Sequence, residues 1–103
     1  IAPSHRPTTT HATALPIMDV IEQQVRLPKD AVALNRYSRF YTATKSGDVI
    51  GTYVAGAHDD LAVGQRRWVK RLPLIDDGGC FIVNVYFDPK RKKVTQAFCN
   101  GIA

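Results

Sequence analysis

The chain has 103 residues, which is one small domain with little excess stability to spare. Hydrophobic residues make up 45% and charged residues 22%, the balance of a soluble globular protein, and no run approaches the roughly 18 apolar residues of a helical membrane span. The net charge of +5 suits a nucleic-acid, anionic-lipid or acidic-glycan partner, although many basic proteins bind none of these.

Residues 1–14 are rich in Thr, Pro, Ser, Ala and His and show no periodicity, so they read as a flexible leader or linker before a single domain at 15–103. They begin Ile1-Ala2-Pro3 without an initiating Met, as in a chain trimmed from a longer precursor. His5 and His11 lie in this stretch with no Cys or carboxylate beside them, and read as solvated residues, not metal ligands.

Residues 15–27 predict an amphipathic helix of about eleven residues. Pro16 suits the first helical position, where a missing amide hydrogen costs nothing. Ile17, Val20, Ile21 and Val25 share one face with Met18 at its edge, and Leu27-Pro28 ends the helix. Residues 29–37 read as a short helical turn capped by Asp30 or as an approach to the first strand. From Tyr37 to Thr44 the aromatic and β-branched residues favour strand, Lys45-Ser46-Gly47-Asp48 reads as a hairpin turn, and residues 49–54 return as a second strand. The loop length leaves open which face Ile50 and Val54 occupy. Residues 55–64 read as a loop, residues 65–72 as a third strand ended by Pro73, and Asp76-Asp77-Gly78-Gly79 as a break.

The carboxyl end reads as one hairpin, with strands at 81–87 and 93–98 joined by the turn Asp88-Pro89-Lys90-Arg91. A turn centred there sets Cys80 directly opposite Cys99, at a separation a disulfide can span. Period-2 alternation then puts Phe81, Val83, Val85 and Phe87 on a core face with Val94 and Phe98, and the disulfide on the opposite face. A bulge would invert that parity on one strand. A disulfide implies an oxidising compartment, so the chain is expected to be secreted or to reside in the bacterial periplasm or cell envelope.

The densest chemistry is Arg66-Arg67-Trp68-Val69-Lys70-Arg71, four cations around an aromatic that can stack on a base or a sugar. The candidate binding residues are therefore Arg66, Arg67, Trp68, Lys70 and Arg71. Cations on both faces also mark an edge strand protected against sheet-to-sheet association. Lys90-Arg91-Lys92-Lys93 is a second basic run at the hairpin tip, and the two would form one patch if they lie at the same end of the sheet. His58-Asp59-Asp60 with Asp76 and Asp77 gives carboxylates and an imidazole in two loops, but in no spacing of a known cation loop, so no metal site is assigned. No nucleophile elbow, zinc-protease, phosphate-loop or dinucleotide motif is present, so no catalytic residue and no cofactor is assigned.

The expected fold is α+β, one N-terminal helix packed on a curved antiparallel sheet of four to five strands, with the last hairpin clipped by the Cys80–Cys99 disulfide. This layout is similar to cystatin-like folds, without a motif to carry the likeness. In size and charge the chain also resembles small secreted basic ribonucleases, which combine one helix, an antiparallel sheet and a Glu/Arg/His acid–base set. That resemblance implies roles for Glu22, the only glutamate, and for His58. The leading expectation is an exported, non-enzymatic domain that binds a protein or anionic polymer through the basic, aromatic strand. The alternatives are a ribonuclease-type hydrolase and a structural accessory domain of the envelope.

Overall fold

The computed structural model describes residues 11–101. The helix α1 spans His11–Gln24, and five strands follow: β1 Tyr37–Ala43, β2 Val49–Ala55, β3 Arg66–Trp68, β4 Ile82–Asp88 and β5 Lys93–Cys99. Short 3₁₀ turns at Leu34–Arg36 and Gly79–Phe81 lead into β1 and β4. The leader expected over 1–14 falls outside the described residues up to residue 10, and residues 11–14 already belong to α1, with Pro16 inside it. The arrangement is α+β, one helix with a five-stranded sheet.

The strands form one sheet in the order β3-β1-β2-β4-β5. β1–β2, β2–β4 and β4–β5 pair antiparallel, but β1 and β3 pair parallel, so the sheet is mixed and not wholly antiparallel as expected. The reason lies in the connections. After β2 the chain does not turn straight back but passes over β1, with Leu61 packed against Phe40 and Val54, and β3 joins the far edge of the sheet. It then recrosses the same face through Val69, Leu72 and Ile75 before β4 pairs with β2.

One sheet face carries the main core. Ala14, Met18 and Ile21 of α1 pack on Tyr37, Tyr41, Val49, Tyr53, Val83, Val85 and Phe87, so Met18 lies at the centre of the helical stripe and not at its edge. Gly51 sits among these large residues for a steric reason. A Cβ there would meet the Tyr41 ring at 3.1 Å and the Tyr53 ring at 3.2 Å, so the two aromatics fill the space a side chain would need. The outer face has a smaller cluster of Phe40, Val54, Leu61 and Ile82.

The C-terminal hairpin is as expected in its strands and differs in register. Asp88 pairs with Lys93 and Phe87 with Val94, but Tyr86 pairs with Gln96, so a bulge leaves Thr95 over. This inverts the parity of β5 beyond it. Ala97 and Cys99 turn to the helix side and pack against the main core, while Phe98 turns to the outer face and stacks on Tyr86, ring centroids 5.7 Å apart. Phe98 is therefore not a core residue, and Phe81, in the turn before β4, is 68% exposed. The disulfide does join Cys80 to Cys99, with Cα atoms 4.6 Å apart. It lies on the helix side of the sheet and not on the opposite face. Val83 is the residue across from Cys99, and Cys80 reaches its partner from the 3₁₀ turn.

Candidate binding surface

The basic, aromatic segment divides according to which face each side chain meets. Arg66 and Trp68 point to the helix side. Arg66 bonds Asp19 at 2.6 Å and Glu22 at 3.1 Å, while Trp68 packs half-buried against the main core. Arg67 points outward to Asp60 at 2.5 Å. β3 is the parallel edge strand, and its three residues hold the sheet edge to α1 and to the loop above it. Lys70 and Arg71 lie past its end, exposed, with no carboxylate partner among the described residues.

Arg66 belongs to a polar cluster between α1 and the sheet that sequence reasoning missed. Its centre is Glu22, which accepts hydrogen bonds from Arg39 Nε at 3.1 Å, Arg66 Nη1 at 3.1 Å and Tyr41 Oη at 2.7 Å. Tyr41 and Tyr53 share a further hydrogen bond at 2.6 Å between their hydroxyls. Arg39 also donates to the carbonyls of Leu34 and Tyr37, so its guanidinium is compensated although the residue is buried. Burial, then the neighbouring Tyr53 and Glu22, pushes the Tyr41 hydroxyl far above the usual phenol range, and burial does the same to Tyr53. Burial pulls Arg66 down, but its bond to Asp19 and the charge of Glu22 outweigh this and raise it. The only signal in the sequence was a pair of acids, Asp19 and the sole glutamate Glu22, three residues apart on one flank of the helix.

An acid–base pair needs both groups on one substrate, and the fold separates Glu22 from His58. Glu22 contacts the helix face of β1 through Arg39 and Tyr41. His58 lies on the outer face, edge-on to Phe40 with centroids 5.9 Å apart. The sheet stands between them. Among the described residues, no three His, Cys, Asp or Glu side chains converge as metal ligands.

Both basic runs stand at one end of the sheet, toward its opposite edges. β3 runs parallel to β1, and the chain continues alongside it, with Val69 N–H donating to Tyr41 O and Thr42 Oγ1 donating to Lys70 O. Lys70 and Arg71 thus lie beside the carboxyl end of β1. Val49, which follows the β1–β2 turn, pairs with Phe87, so the β4–β5 tip projects from that same end. The tip is shaped by Asp88, whose carboxylate accepts from the Lys90 and Arg91 amides, and by Lys92 at a φ of 55°. Arg91 is paired with Asp88 at 3.7 Å, whereas Lys90, Lys92 and Lys93 have no carboxylate partner among the described residues. Next to this rim, the outer face of β4 and β5 carries the exposed Tyr86–Phe98 pair.

No helix among the described residues is long and apolar enough to cross a membrane. Comparison of the chain with protein-family models, with curated proteins and with solved structures gave no match in any of the three.

Proposed function

We propose that this is a non-enzymatic binding domain that takes an anionic polymer along the basic rim of its sheet, in an oxidising compartment such as the bacterial periplasm or cell envelope. The observation that carries the reading is that Lys70 and Arg71 stand at the same end of the sheet as Lys90, Lys92 and Lys93, none of them with a carboxylate partner among the described residues. Three to four strand spacings, on the order of 15–20 Å, separate the two groups. A polymer spans that interval, whereas a small anion meets one group only. Tyr86 and Phe98 add exposed aromatic surface beside the rim for sugars or bases to pack on. Of the residues expected to bind, Lys70 and Arg71 belong to this surface, while Arg66, Arg67 and Trp68 serve the edge of the fold. The Cys80–Cys99 disulfide supports the oxidising location. The cystatin-like layout is kept as a likeness of one helix laid on a sheet, from which the parallel β1–β3 pair departs, and it carries no function.

The test is binding of a fluorescent heparin fragment, followed by anisotropy as salt is raised. Affinity should fall steeply with salt, and reversing either Lys70 with Arg71 or Lys90, Lys92 and Lys93 to Glu should weaken it about tenfold or more. Salt-insensitive binding would point to an apolar protein interface. Indifference to both charge reversals would leave the domain a structural accessory.

A further inference from the structure

At the opposite end of the sheet, an open groove of about 730 Å³ separates the segment at residues 30–32 from the disulfide. We propose that this groove binds a basic side chain carried on an apolar stretch of a partner peptide.

Three observations converge on that ligand. The first is that the walls are built in place. The buried Tyr37 hydroxyl donates to Cys80 O at 2.6 Å and accepts from Val32 N–H at 3.1 Å, so one group ties both sides together. Asn100 donates to the carbonyls of Ile75 and Asp77 and accepts from Asn84, which holds the third side. The disulfide locks Cys80 to the end of β5 beneath them. A site arranged before binding loses less free energy to ordering.

The second observation is apolar exposure. Phe81 is 68% and Val32 38% exposed, and both line the groove together with Cys80 and Cys99. Large apolar side chains left in water at the mouth of a concavity offer burial to a partner.

The third is charge. In a chain of net charge +5 the groove lining contains no Lys or Arg, but it does contain Asp30 and Asp77. Neither carboxylate has an ion-pair partner among the described residues. Two uncompensated carboxylates beside an apolar wall match a guanidinium or ammonium on an aliphatic stem, which lays its methylenes on Phe81 and its head on the acids. An acidic or neutral segment meets the same wall without the second attraction.

The experiment is a titration of the oxidised protein with a capped leucine-arginine-leucine peptide, read from backbone amide shifts in NMR spectra. The comparator is the same peptide with glutamine in place of arginine. The arginine peptide should shift Val32, Phe81 and Asn100, and it should bind about five- to tenfold more tightly than the glutamine peptide. The double variant Asp30→Asn, Asp77→Asn should erase that preference, and Phe81→Ala should weaken both peptides. Equal affinity for the two peptides, or shifts centred elsewhere, would overturn the assignment. So would shifts at these same amides on raising protein concentration without peptide, because a second copy of the chain would then be the occupant.

Discussion

Glu22 shows how one carboxylate can hold a helix to a sheet. Three side chains from β1 and β3 donate to it, and its own side chain is only 14% exposed. The isosteric substitution Glu22→Gln leaves the Arg39 guanidinium, 9% exposed, without its counter-charge. Breaking such a pair is expected to cost about 3 kcal/mol, measurable by urea unfolding. A loss below about 1 kcal/mol would show that a neutral acceptor serves equally well. The phenols beside it make a second prediction. Burial raises both Tyr41 and Tyr53, so on titration with base the unfolded chain gives up these protons before the folded one does. Their contribution to stability is therefore whole below about pH 10 and declines as pH rises further. The thermal midpoint should drop above that point, while Tyr41 and Tyr53 resist ionisation until the protein unfolds. Ionisation of Tyr41 and Tyr53 in the folded protein within the usual phenol range would contradict this.

Among the elements, the β4–β5 hairpin decides most of the surface. One extra residue, Thr95, sends Phe98 outward onto Tyr86 and brings Ala97 and Cys99 inward. The disulfide then staples the end of β5 to the turn preceding β4, closing a loop with a sequence separation of 19. Loop-closure entropy puts its contribution at about 3 kcal/mol, a large share of the stability of a small domain. Unfolding in the presence and absence of reductant should show a loss of that order. Unchanged stability on reduction would mean that hairpin pairing alone supplies the constraint. The groove should also lose definition on reduction, since Cys80 forms part of its wall.

At the scale of the whole molecule, unpaired cations gather at one end of the sheet. Among the described residues, Lys70, Arg71, Lys90, Lys92 and Lys93 stand without a carboxylate partner at the end that carries the hairpin tip, while Asp30 and Asp77 line the groove at the other end, to which Arg36 also belongs. Such a distribution orients an approaching polyanion before contact, so the association rate with heparin should fall with salt more than the dissociation rate rises. The elements were legible in the sequence because they rest on local signals. Apolar spacing marked the helix, Gly47 and Pro89 marked the turns, and the placement of two cysteines about a turn marked the disulfide. These depend on chain stiffness and side-chain period, which neighbouring residues determine among themselves. Only the tertiary structure decided the parallel pairing of β3, the bulge at Thr95, the placing of both basic runs at one end of the sheet and the closure of Glu22 onto Arg39, Arg66 and Tyr41. Each of these brings together residues far apart in the chain. Their cause is the competition among packings for the same buried faces, and no local pattern records its outcome.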